Sequence, residues 1–113
     1  MTDLALVYAV FADAAEAERI AALTVEERLA ACANILGPIR SIYRWRGEIE
    51  RADEIAVLFK TDAAHVAALR DRIAGLHSYD LPAIVDWPAS ASAAYAGWVA
   101  DGLLDMPDHD RVS

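Results

Sequence analysis

Two stretches of this chain are apolar on both faces. Leu4 to Phe11 is the first, and Ile55 to Thr61 the second. A strand with one solvated face alternates apolar and polar positions, so a doubly apolar strand predicts burial from both sides. Each stretch is followed by Asp-Ala-Ala, at Asp13 and at Asp62, and then by a helical pattern. Asp13 with Glu16 has capping-box spacing, and predicts a helix from Ala14 to about Arg28. Ala17, Ile20, Ala21 and Thr24 share its inner face. Asp62 predicts the cap of a second helix, with Val66, Leu69, Ile73 and Leu76 as the buried stripe. The two copies read as two βαβ halves.

Between them, Ala33 to Trp45 reads as a long strand interrupted by Gly37-Pro38. Proline cannot donate to a ladder, so this strand belongs at an edge or carries a bulge. Ile39, Ser41, Tyr43 and Trp45 then fall on one face, and Arg40, Ile42, Arg44 and Arg46 on the other. Gly47 predicts a hairpin turn into Glu48 and Ile49. Leu81 to Trp87 reads as a fourth strand bracketed by Pro82 and Pro88. Ser92 caps a short last helix, ended by Gly102, with Tyr95, Trp98 and Val99 on one face. The order is β-α-β-β-α-β plus a terminal helix. That is an α+β, ferredoxin-like sandwich, with a single domain over residues 1–103 and a loose tail over 104–113. Helices cover one sheet face only, yet the central strands are apolar on both. The uncovered face and the long edge strand with Tyr43 and Trp45 predict a homo-oligomer.

Composition narrows the function. The 113 residues are 57% hydrophobic, much of it alanine, which buries little area per residue. The net charge of −8 argues against nucleic acid and against an anionic membrane surface as partners. The longest apolar run, Leu4 to Ala12, is far shorter than the roughly 20 residues of a membrane span. Asp3 precedes it where a signal peptide has Lys or Arg, so the expected location is cytoplasmic. The single cysteine, Cys32, excludes an intrachain disulfide and a cysteine-rich zinc site. No glycine-rich phosphate loop, nucleophile elbow or HExxH helix is present. No acid–base pair with mechanistic spacing stands out, and an enzyme is the reading least supported.

Four ordered strings carry more information. They are Glu26-Glu27-Arg28-Leu29-Ala30-Ala31-Cys32-Ala33-Asn34-Ile35, Ser41 to Ile49 (SIYRWRGEI), His77-Ser78-Tyr79-Asp80 with Leu81 to Ile84, and Tyr95-Ala96-Gly97-Trp98. Together they resemble the CutA divalent-cation-tolerance family, over about Leu4 to Val99. The resemblance implies a ferredoxin-like subunit in a tight homotrimer, a non-enzymatic role, and a link to tolerance of copper and other divalent cations. It also implies an analogy to PII-like signalling trimers, so the alternative function is a signalling or scaffold trimer that binds a small anion or a protein partner. Metal-binding members of the family resemble one another in a first-strand cysteine and a His-His pair. Here Ala9 and Leu76 stand at the cysteine and first-histidine positions, and only His77 remains. A copper site built on that set lacks its thiolate in this chain.

The candidate residues each have two readings. His77 and Asp80 are the candidate metal ligands; His77 also suits a helix C-terminus, where the dipole favours its charge. Lys60 and Tyr79 are the candidate ligand-binding pair in an intersubunit cleft; Lys60 also reads as a strand-end lysine reaching water. Tyr43 and Trp45 read as oligomer anchors or as a stacking surface for a ligand. Cys32 reads as a small buried hydrophobe or as a thiolate. His65 and His109 read as solvated.

Overall fold

The computed structural model describes residues 2–105. Four strands and three helices follow the predicted order: β1 (Thr2–Phe11), α1 (Ala14–Glu26), β2 (Cys32–Trp45), β3 (Glu48–Thr61), α2 (Val66–Leu76), β4 (Ile84–Ala91) and α3 (Ala93–Gly102). The sheet is antiparallel with order β2-β3-β1-β4, so the first and third strands are central as predicted. The fold is α+β.

α1 and α2 pack on one face. Val7, Ala9, Phe11, Val57 and Phe59 meet Ala17, Ile20, Leu69 and Ile73 there, in one buried cluster. Asp13 caps α1 by accepting from the Glu16 N–H at 2.8 Å. α2 begins later than the second Asp-Ala-Ala predicts, at Val66. Asp62 still accepts from the N–H three residues on, that of His65, at 3.1 Å. The i to i+3 contact of the repeat is kept, but Asp62 closes a turn and does not cap α2, whose N-cap is His65 with no side-chain cap bond.

α3 covers one end of the other face, through Leu4, Ala96, Val99 and Leu103. Its inner residues are Ala96 and Val99; Trp98, grouped by sequence on one face with Tyr95 and Val99, is 54% exposed. The fourth strand is shifted from its expected place and contains Pro88, which lies opposite Ala5. β4 is an edge strand, and there a missing donor can point to solvent.

β2 and β3 pair from Cys32↔Lys60 out to Trp45↔Glu48, but β1 accompanies β3 only from Ile55 to Thr61. The outer part of the hairpin is thus a two-stranded ribbon. Its turn is Arg46-Gly47, both at positive φ (52° and 84°), the arrangement that matches strand twist. The predicted irregularity at Gly37-Pro38 is a bulge between Ile35 and Gly37, on an edge strand. Of the loose tail expected over 104–113, residues from 106 on lie outside the described residues, as does His109. Leu104 is tied in: its N–H donates to the Arg28 carbonyl at 2.9 Å. Its own carbonyl meets Nε2 of His65. His65 is therefore buried rather than solvated, with Nδ1 2.6 Å from an Asp62 oxygen.

Candidate functional site

The segment after α2 is pinned at three consecutive residues. His77 ends the helix with φ −69° and ψ 143°, turning the chain back across the sheet. Its Nε2–H donates to the Val10 carbonyl at 2.7 Å, and its Nδ1 accepts from the Tyr79 N–H at 3.0 Å. Those partners assign the proton to Nε2 and use both ring nitrogens. The ring stacks on Phe11 at 4.9 Å and leans on Tyr79 at 4.9 Å. Ser78 donates its N–H to Glu16 Oε2 at 2.8 Å. Tyr79 donates its hydroxyl to Glu54 Oε2 at 2.8 Å. The segment is thus fastened to β1, α1 and β3 in turn.

Electrostatics follows the same contacts. Burial pushes the Tyr79 phenol up, the bond to Glu54 adds to it, and the charges of Glu54, Tyr43 and Glu16 add further, bringing it to about 12. The phenol is a donor throughout the physiological range. At Glu16, burial pushes the carboxyl up, but hydrogen bonds from Ser78 and the Ala12 N–H outweigh it and hold the group below its ordinary value.

Where this segment meets the root of the ribbon, a cavity of about 530 Å³ opens. Ser41, Tyr43 and Trp45 of β2 line it, with Glu54 of β3, Val10 of β1, and Tyr79 and Asp80. Tyr43 and Trp45, read from sequence mainly as oligomer anchors, share a wall with the ligand candidates Tyr79 and Asp80. His77 lies behind Tyr79. Lys60 is elsewhere: it is six residues from Glu54 along β3, roughly 20 Å at strand rise. Its ammonium lies 5.5 Å from the Tyr95 ring. Within one chain, Lys60 and Tyr79 are not brought together.

Ala9 is fully buried, and Leu76 packs against the same cluster. The two departures from the family's ligand set are thus core residues here. Cys32 is half-buried, in register with Lys60 rather than inside the core. Among the described residues, no group of three or more His, Cys, Asp or Glu side chains is placed to hold a metal ion. Two acids escaped the sequence reading. Glu16 was visible only as a helix cap, and Glu54 directly precedes the Ile55–Thr61 stretch, on the face of Ala56 and Leu58. A carboxylate at the rim of an apolar row was the available signal.

A family model described as CutA1 divalent ion tolerance protein matches residues 5–102. The chain belongs to the CutA1 divalent ion tolerance family. A divalent-cation tolerance protein CutA from Thermus thermophilus is 42% identical over 86 residues, which is 75% of this chain and 84% of that protein. The crystal structure of CutA from Xylella fastidiosa superposes with a TM-score of 0.86 at 38% identity, covering 90% of this chain and 99% of that one. The Archaeoglobus fulgidus structure, described as a periplasmic divalent cation tolerance protein CutA, gives 0.84 at 36%, covering 88% and 97%. A relative from Archaeoglobus fulgidus, 47% identical over 65% of this chain and 71% of its own length, is likewise named a divalent-cation tolerance protein CutA.

Proposed function

We propose that this CutA1-family chain is a non-enzymatic homotrimer acting in the cytoplasm in tolerance to divalent ions, copper among them. In this reading its ligand site is the cavity at the ribbon root, lying at a subunit boundary. The observation that carries it is the convergence of Glu54, Tyr79 and Asp80 on one cavity beside a ribbon that its own subunit leaves unsupported. The Glu54 and Asp80 carboxylates supply oxygen ligands suited to a divalent cation. His77 joins them only by giving up one of its two hydrogen bonds. Copper affinity is therefore expected to be modest, with Asp80 contributing more than His77. Calorimetric titration with Cu²⁺ tests this: Asp80→Ala is expected to weaken binding more than His77→Ala. No heat of binding in the wild type, or no effect of Asp80→Ala, overturns the metal reading.

One observation favours the signalling or scaffold alternative. Lys60 has no carboxylate within salt-bridge distance among the described residues, leaving its charge open to an anion. That reading predicts anion binding which Lys60→Ala abolishes.

A further inference from the structure

The cavity at the ribbon root holds more than a bare metal ion needs. Its volume of about 530 Å³ lies within the roughly 300–1,000 Å³ of small-molecule sites. Three of its lining residues are aromatic: Tyr43, Trp45 and Tyr79. Rings contribute nothing to the coordination of a dication by oxygen, but their negative faces attract an ammonium group on an organic body. Arg46 sits 5.5 Å over the Trp45 ring, so that ring already makes a cation contact within the chain.

The charge on the cavity points the same way. No lysine or arginine lines it, and two carboxylates do. Glu54 is more than nine-tenths buried. One of its oxygens accepts from Tyr79; no donor among the described residues reaches the other. No fully inaccessible side-chain oxygen among the described residues lacks a partner, so that second oxygen keeps its access through the cavity. A carboxylate so withdrawn from water gains most from a cationic partner. The neutral Tyr79 phenol holds it in place without neutralising it.

We propose that this cavity binds an organic ammonium: a protonated amine on an aryl or short alkyl body. Its charge meets Glu54, with Asp80 at the rim, and its body lies against Tyr43, Trp45 and Tyr79. The inference rests on the reading of the cavity as the ligand site. It adds that a divalent cation and an amine compete there for the same carboxylates.

The test uses the full-length chain in chelator-treated, metal-free buffer, with phenethylammonium as the probe. 3-Phenylpropionate and 2-phenylethanol are the anionic and neutral controls of similar shape. Calorimetry is expected to show binding of the amine and at least tenfold weaker binding of both controls. Glu54→Gln, which can still accept from Tyr79, is expected to weaken the amine at least tenfold. Tyr43→Leu is expected to do the same, while Tyr43→Phe keeps affinity within about threefold; thermal midpoints verify that each variant is folded. Equal binding of all three probes, or an unchanged Glu54→Gln, overturns the proposal. So does absence of amine binding by a protein that assembles, which would mean that a second copy fills the cavity. A parallel Cu²⁺ titration separates the two readings. Copper without amine sinks this inference alone; amine without copper sinks the metal reading and the competition, and leaves the amine site standing.

Discussion

Glu16 and His65 occupy one place in two copies of a local motif, each donating its N–H to an aspartate side chain three residues before it. Both are buried polar residues, and both tie down the chain that follows a helix. Glu16 holds Ser78 after α2, and His65 meets Leu104 after α3. At Glu16 the folded state lowers the carboxyl pKa below its ordinary 4.5. The stability this gives is complete above the unfolded value and is lost as pH falls through the lower folded value. Glu16→Gln is therefore expected to cost about 1.5–3 kcal/mol near neutrality, the range for hydrogen bonds to a charged group. The gap between variant and wild type narrows as pH drops below about 4.5. Urea denaturation at pH 7 and pH 3.5 measures both; a gap of equal size at the two values contradicts the ionised contact. The cap was legible in the sequence from Asp13 and Glu16. Its second task was not, because Ser78 is 62 residues away and nothing local marks the contact.

At the scale of an element, the bulge in β2 decides which side chains reach the cavity. Before it, Ala33 and Ile35 pair with Phe59 and Val57 and face the helices. After it, Ile39 pairs with Glu54, so Ser41, Tyr43 and Trp45 share the Glu54 face. Were Leu36 paired in the ladder instead of bulged out, the odd-numbered positions would stay on the helix side, because one residue of slip turns every side chain over. Gly37 makes the bulge at φ 101°, where an L side chain is strained. Gly37→Ala is expected to destabilise by about 1–3 kcal/mol. Deleting Leu36 is expected to remove the bulge while leaving Tyr43 and Trp45 opposite Glu50 and Glu48, on the cavity face. A denaturation midpoint unchanged in Gly37→Ala would show that the backbone there is free to relax. Gly37-Pro38 made the interruption legible, and alternation beyond it grouped Ile39 to Trp45 correctly. Glu54 was missed because cross-strand register, which a one-dimensional pattern does not carry, is what sets it opposite Ile39. Pro88 misled in the same way: it reads as a boundary, but an edge strand tolerates it.

The described residues span 53 × 28 × 24 Å, and the β2–β3 ribbon runs on past the end of β1. A two-stranded ribbon alone is marginally stable in water. Ile42 and Ile49 on one side of it and Tyr43 and Trp45 on the other are 42–63% exposed. On the sheet face opposite α1 and α2, the register sets Leu58, Tyr8 and Val85 side by side, with Leu6 beside Trp87. α3 covers only the Leu4 end of that face. Doubly apolar strands thus signalled a surface that one subunit does not cover, while the number of copies came from family resemblance and not from periodicity. The proposed trimer makes a definite demand on Val85, which is 56% exposed in one chain. If the chain works alone, Val85→Glu is an ordinary surface change, worth within about 0.5 kcal/mol. If copies pack on this face, it buries an unpaired charge and drives them apart. Light scattering on the wild type is expected to give about three times the 12.3 kDa subunit mass. Val85→Glu is expected to give one subunit mass, with its helical circular dichroism retained. A wild type that runs as a single subunit, or a Val85→Glu variant of undiminished mass, removes this face from the interface.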